Sequence, residues 1–176
     1  LMIEELENLE LKDSIYKNIS EMNLMLNHYL DFIKNEKNEN LDDVSTDSLI
    51  EDLSNNYPNI KILKNERSVV LIRKSQISRA LINILDNAKK FADNIYINSL
   101  FDVSKWIISI EDDGPGTNLS QEQLIKPFTK GGEQLNQGTG LGLSIVQKLI
   151  KLNNGELNFE KSPYGGLKVI ISLEVR

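Results

Sequence analysis

Three short segments carry residue types that could do chemistry. Asp112-Asp113-Gly114-Pro115-Gly116 sets a carboxylate beside two glycines. The carboxylate can accept a hydrogen bond from an amino group, and the glycines let backbone approach a ligand where a side chain would block it. Gly138-Thr139-Gly140-Leu141-Gly142-Leu143 reads as a glycine-bearing entry into a helix. Free amide N–H groups at a helix start face an anion such as a phosphate. The spacing fits neither a Walker A loop nor a dinucleotide-binding fingerprint. Asn83, Asn87 and Lys90 fall together on one side of a helix, with Phe91 at the edge. Two Asn residues one turn apart cost helix stability. Each segment alone has an ordinary structural reading: a solvated face in an Asn-rich chain, a tight turn, a loop before a helix.

The elements that position these segments follow from periodicity. Ile77, Leu81, Ile84 and Ala88 form one apolar face, predicting a helix over Ser75–Ala92 whose polar Asn/Lys face lies about a quarter-turn away. Two strands, Asn94–Phe101 and Lys105–Glu111, lead directly into the acidic glycine turn. A helix over Gly140–Leu152 follows the second glycine segment and closes at Asn154-Gly155. A hairpin of Glu156–Glu160 and Leu167–Leu173 turns at Ser162-Pro163-Tyr164-Gly165-Gly166. Earlier, a short helix over Asp47–Asn55 precedes Asn59–Leu63 and Ser68–Ile72, which read as a strand pair around Lys64–Arg67. Strands and helices mix without strict alternation, so the expected class is α+β, one mixed sheet with helices on one face.

The front of the chain differs in kind. Ile15, Ile19, Met22, Leu26, Tyr29 and Ile33 recur at intervals of four and three, the seam of a coiled helix that needs a partner. Asn35–Asp43 has almost no apolar content and reads as a linker. The organisation expected is a helical segment and linker over residues 1–41 and a globular domain over 42–176.

The 176 residues are 40% hydrophobic and 26% charged, which excludes a disordered tail or a fibre. There is no Cys, hence no disulfide or thiolate chemistry. The net charge of −6 hides a division: Leu1–Leu53 has 14 acidic and 4 basic residues, and Ser54–Arg176 has 12 acidic and 16 basic. The back of the chain, where the glycine segments lie, is thus mildly basic and suited to an anion.

In order, Asn87 within Asn-x-x-x-Asn-Ala-x-Lys, then Asp-x-Gly-x-Gly, then Pro127-Phe128-x-Lys130-Gly131, then Gly-Thr-Gly-Leu-Gly-Leu resemble the N, G1, F and G2 boxes of the histidine kinase catalytic and ATP-binding domain. The resemblance covers Asp42–Arg176, and the front resembles the second helix of the family's dimerisation hairpin. Both regions are similar to the osmosensing membrane histidine kinases. The fold this implies is a Bergerat-type α/β sandwich.

The resemblance also implies roles. Asn87 matches the Mg2+ ligand, and Asn83 would face the same phosphates. Lys90 matches the phosphate-contacting cation, and Asn87 and Lys90 together would serve catalysis. Phe91 stands where the family often has Tyr against the adenine or ribose. Asp112 matches the adenine-reading carboxylate, with Gly114 and Gly116 keeping its turn open. Phe128 and Lys130 belong to the lid, and Lys130 puts a point charge where a guanidinium frequently grips two oxygens. Gly138, Thr139, Gly140, Leu141, Gly142 and Leu143 close the lid and aim amides at the phosphates. Gyrase- and chaperone-type relatives carry a general-base Glu four residues before the metal-binding Asn. Here that position is Asn83, which cannot take a proton.

The partners this implies are ATP with Mg2+, a response regulator, and a second copy joined through the N-terminal helices, with no nucleic acid. The resemblance further implies a cytoplasmic part of a protein of the inner membrane. The family's phosphoacceptor His has no match here: His28 lies in the second-helix match, so the acceptor is expected upstream of Leu1. The competing reading is a nucleotide-binding interaction module without transferase activity. A weaker one is an ATP hydrolase, opposed by Asn83.

Overall fold

Eighteen residues with an apolar stripe at helical spacing form the longest helix described. In the computed structural model, Ile77, Ala80, Leu81, Ile84, Leu85 and Ala88 of this helix are all buried against the sheet and a second helix. The structure describes residues 11, 12, 15, 16, 19, 20, 22, 39–129 and 139–175. The chain divides into two units, Leu1–Glu39 and Asn40–Arg176.

The second unit runs β1 (Asp42–Ser45), α1 (Thr46–Ser54), β2 (Ile60–Asn65), β3 (Val69–Ile72), α2 (Lys74–Phe91), β4 (Ile95–Asp102), β5 (Lys105–Asp112), a one-turn α3 (Gln121–Leu124), α4 (Gly142–Leu152), β6 (Gly155–Lys161) and β7 (Leu167–Glu174). Five strands form a mixed sheet in the order β2-β4-β5-β7-β6. Only β2 and β4 run parallel. The inward row Ile97, Trp106, Ile108, Ile110, Val169, Ile171 and Leu173 is buried, as period-2 alternation requires when one face is covered. Trp106 is fully enclosed, and its indole N–H donates to Ser99 Oγ at 2.9 Å. Burial of such rings and branched side chains supplies most of the stability, each worth roughly 1.5–3 kcal/mol.

The α+β class and mixed sheet stand as the periodicity predicts, and the hairpin β6–β7 pairs as expected. Four local readings change. The two segments around Lys64–Arg67 are not partners: β2 joins β4 in parallel, whereas β3 pairs with β1 in a separate two-stranded ladder. Consequently Asp42 and Asp43 are strand residues rather than linker, paired with Ile72 and Leu71. The pairing is non-local, which alternation along one segment cannot reveal. The turn α3 is an element that apolar periodicity does not show; it opens with a capping box in which Ser120 Oγ accepts from Gln123 N and Gln123 Oε1 accepts from Ser120 N. Finally, α4 begins at Gly142, two residues later than its apolar pattern.

In the first unit, Leu11, Lys12, Ile15, Tyr16, Ile19, Ser20 and Met22 are helical, and the seam residues Ile15, Ile19 and Met22 are exposed. Leu26, Tyr29, Ile33 and His28 lie outside the described residues. No helix of the described residues is long and apolar enough to cross a membrane.

The β4–β5 hairpin turns at Val103, a β-branched residue at φ 53° whose side chain is wholly exposed. Left-handed backbone costs an L-residue about 1–2 kcal/mol, and no buried contact offsets it here. Val103→Gly is therefore expected to stabilise the domain by roughly 1 kcal/mol, after allowing for the entropy of Gly in the unfolded chain. Thermal unfolding checks this: an unchanged or lower Tm would show that the turn carries no strain.

Candidate functional site

Helix α2 lies between the two glycine segments and sets their separation. At its C-terminal end the carbonyl of Phe91 comes so near Gly114 that a Cβ there would stand 2.7 Å from it. Two turns earlier, the amide oxygen of Asn83 faces Gly142, the first residue of α4, at 3.7 Å from the place a Cβ would take. Asn83 is oriented by its own helix, since its Nδ2 donates to the Arg79 carbonyl at 2.9 Å and leaves Oδ1 pointing towards α4. Asn87 is half-buried between these ends. Among the described residues, neither its amide nor the Lys90 ammonium has a hydrogen-bond or ion-pair partner. Their polar groups are available to a ligand, whereas on Asn83 only Oδ1 is.

The start of α4 is built to leave amides open. Leu141 caps it without a side-chain hydrogen bond, and no acidic residue stands in its first turn. Thr139 Oγ1 accepts from Leu141 N, and Ser144 Oγ donates back to Leu141 O, so neither hydroxyl takes the amides of Gly142 and Leu143. Gly140 adopts φ +69°, and a Cβ on it would stand 2.9 Å from Phe128 Cα. Phe128 is itself left-handed at φ 65°, and its N–H donates to Gly140 O at 2.9 Å. The two ends of the intervening segment are thus held together at Phe128 and Gly140, with the Phe128 ring exposed. Lys130 and Gly138 fall inside that segment and lie outside the described residues. Leu141 and Leu143 are half-buried.

Asp112 ends β5 opposite Ile95 and is buried. Its Oδ1 accepts from the amides of Gly114 (3.0 Å) and Leu167 (3.2 Å), and its carbonyl accepts from Gly166 N at 3.1 Å. Both side-chain bonds fall on Oδ1, which leaves Oδ2 as the oxygen with acceptor capacity to offer. Gly166 is a position the sequence did not single out. A Cβ there would stand 1.8 Å from Asp112 Oδ1, so only Gly lets the β6–β7 turn press against this carboxylate. Gly116, at φ +67°, packs against the same turn, close to the carbonyls of Gly165 and Gly166. The Gly-Gly pair of that turn was the available signal, and it reads as hairpin chemistry until the turn is seen folded onto Asp112.

Asp112 and Asp113 are neighbours with opposite environments. Burial pushes the Asp112 carboxyl above its ordinary value of 3.8, more than the Gly114 and Leu167 amides pull it down. Asp113 is pulled below 3.8, chiefly by the backbone amide and then the side chain of Asn94. Its Oδ1 accepts from Asp93 N and Asn94 N, both at 2.9 Å, and its Oδ2 from Asn94 Nδ2 at 2.7 Å, tying the α2–β4 corner to the turn. A depressed folded-state pKa contributes stability that is present above the unfolded value of 3.8 and lost as pH falls through the folded pKa. Asp113→Ala is therefore expected to lower Tm at pH 7 and to flatten the acid limb of the stability curve below pH 3.8. Unfolding scans at several pH values test this, and an unchanged acid limb would remove Asp113 as its source.

This arrangement, a carboxylate turn and an open helix end on either side of one Asn-bearing helix, matches a known class. The chain belongs to the histidine kinase-, DNA gyrase B-, and HSP90-like ATPase family, which its sequence matches over residues 73–176. Its relatives within that family are sensor histidine kinases, and the matched part is their catalytic ATP-binding domain. Sensor histidine kinase CpxA of Escherichia coli is 36% identical over 102 residues, covering 55% of this chain and 22% of that protein. Sensor histidine kinase GtrS of Pseudomonas aeruginosa is 26% identical over 183 aligned positions, covering 98% of this chain and 37% of that protein. The chain thus spans about a fifth to two fifths of the length of these relatives. Among solved structures, the histidine kinase domain of the E. coli osmosensor EnvZ superposes with a TM-score of 0.58 at 28% identity, covering 78% of this chain and 89% of that one. The histidine kinase AdeS of Acinetobacter baumannii shares the fold with a TM-score of 0.69 at 20% identity, covering 92% and 84%.

Proposed function

We propose that this domain binds Mg-ATP and passes the γ-phosphoryl group to a histidine on a dimerisation helix, for relay to a response-regulator aspartate. The observation that carries the reading is the geometry around α2: an amino-accepting carboxylate, Asp112, at one end, and the uncapped amides of α4 facing Asn83 at the other. A nucleotide has the same order of parts, with an exocyclic amine at one end and a polyanion at the other.

The residues fit the metal that this reading needs. Among the described residues no group of three or more His, Asp or Glu side chains could hold an ion, but the Asn87 amide is unpartnered and half-buried. Mg2+ suits such a site, because it keeps several waters and takes its other oxygens from phosphates. Bound there, it would supply charge neutralisation to the phosphates. Asn87 would hold it and Lys90 would add a cation beside it. The amides of Gly142 and Leu143 would face phosphate oxygens, while Phe91 would lie against the adenine or ribose. Phe128, Lys130, Gly138, Thr139, Gly140 and Leu141 would form the lid and its hinge. Phosphoryl transfer depends mainly on such positioning and neutralisation. Asn83 cannot deprotonate water, which favours transfer to an imidazole over hydrolysis.

The exposed seam residues Ile15, Ile19 and Met22 support the dimer: such a stripe is stable only when a second helix covers it. Residues 1–41 would then be the dimerisation segment and linker of a longer sensor anchored in the membrane, with this part on its cytoplasmic side.

The test mixes this chain and labelled ATP with a longer version that carries the upstream histidine but has Asn87→Ala. Acid-labile, base-stable label on the longer chain is the expected result. Bound nucleotide without transferred label would show a binding module, and released phosphate would show a hydrolase.

A further inference from the structure

The outer face of the sheet carries one continuous cross-strand row next to the site: Lys61, Tyr96, Glu111, Lys168 and Glu160, one residue from each strand in register. Its members are tied to one another. Lys61 Nζ sits over the Tyr96 ring at 5.4 Å, and Lys168 Nζ lies 3.3 Å from Glu160 and 4.0 Å from Glu111. Glu111, in the middle of the row, is buried and accepts from Ser109 Oγ at 3.0 Å. From the β6–β7 turn, Tyr164 reaches this row at Tyr96. Its ring stacks on Tyr96 at 3.7 Å between centroids and 15° between planes.

That turn is also what presses on Asp112. From Tyr164 the chain continues through Gly165 at φ +115° to Gly166, whose N–H donates to Asp112 O, and to Leu167, whose N–H donates to Asp112 Oδ1. The turn closes on itself through Ser162 N to Gly166 O (2.9 Å) and Gly165 N to Ser162 O (3.1 Å). The Tyr164 stack and the amides that meet Asp112 thus belong to one short turn.

We propose that Tyr164 and Tyr96 are positioning residues for base recognition: their stack clamps the β6–β7 turn, and the turn's Gly166 and Leu167 amides hold the Asp112 carboxylate in the orientation that reads the 6-amino group of adenine, where guanine has a carbonyl oxygen. This deepens the nucleotide reading and rests on it for its ligand, while the clamp itself is a property of the protein alone.

The test compares Tyr164→Ala and Tyr164→Phe with the unmodified chain in two measurements. The first is amide hydrogen exchange without nucleotide. Tyr164→Ala should speed exchange at Gly166 and Leu167 by up to about tenfold, the scale of one aromatic pair, and leave Ile108 and Ile170 in the β5–β7 ladder unchanged. Tyr164→Phe should restore the original rates. The second is titration with Mg-ATP and Mg-GTP. Tyr164→Ala should weaken ATP by up to about tenfold and GTP by much less, narrowing the preference, with Tyr164→Phe behaving as the unmodified chain. Unchanged exchange at Gly166 and Leu167, or equal loss for both nucleotides, would overturn the proposal, since a purely structural role lowers stability without altering preference. If the unmodified chain binds neither nucleotide, the function reading falls, and the exchange rates alone decide whether the clamp exists.

Discussion

Asn87→Ala is expected to weaken Mg-ATP binding by at least about 100-fold while leaving Tm nearly unchanged. Substitutions that merely misorient a metal's ligands cost 10–100-fold, and this one removes the proposed protein ligand itself. The structural side is equally definite. The Asn87 side chain has no partner within the described residues, so its truncation leaves no buried group unpaired, and Ala is the better helix former at that position of α2. A loss of binding together with a loss of fold would therefore contradict the packing described here. Titration of Mg-ATP by calorimetry, alongside thermal unfolding, separates the two. Affinity unchanged in Asn87→Ala would remove the metal assignment and, with it, the role of α2's polar face.

Asp112→Asn should act on a different property, the choice of base. The amide can keep its carbonyl oxygen towards the Gly114 and Leu167 N–H groups that now bind Oδ1. The other branch then changes from an acceptor into an N–H2 donor, which repels an exocyclic amine and suits a carbonyl oxygen. A hydrogen bond to a charged group is worth roughly 1.5–3 kcal/mol, so ATP should weaken by about 10–100-fold and the preference over GTP should shrink or reverse. The same substitution is expected to stabilise the empty domain at pH 7. Burial raises the Asp112 pKa above 3.8, so this carboxyl contributes stability only below that value and loses it as pH rises through the folded pKa. A neutral amide escapes that cost. Lower affinity for ATP with a higher Tm at neutral pH is the combined signature, measured by titration and by unfolding. A variant that kept its ATP affinity would show that Asp112 is only the closing residue of a tight turn. Sites that hold a desolvated charge for a ligand commonly trade stability in this way.

Asp113, one residue on, is the contrast. It faces the α2–β4 corner, where three N–H groups from Asp93 and Asn94 satisfy it, and its effect on stability has the opposite sign. Two adjacent carboxylates thus divide into one that maintains the corner and one that costs stability where the base is proposed to bind. Nothing in the dipeptide itself tells them apart.

Much of this protein is determined locally and is legible in the sequence. The apolar spacing of Ile77, Leu81, Ile84 and Ala88 specifies α2 and separates its buried face from the face bearing Asn83, Asn87 and Lys90, because 3.6 residues per turn leave no other arrangement. Alternation and the Pro-Tyr-Gly-Gly turn specify β6–β7, and the order of four motifs points to the family. What only the tertiary structure decided is non-local. β2 lies alongside β4 rather than β3, since a strand's partner depends on which edge remains open and not on what lies next in sequence. Gly166 and Leu167 reach Asp112 from 54 and 55 residues away, through their backbone N–H groups, which carry no side-chain pattern. The stack of Tyr164 on Tyr96, which joins that turn to the outer face of the sheet, is equally invisible in one dimension, because two aromatic residues 68 positions apart become neighbours only when the strands between them close into register.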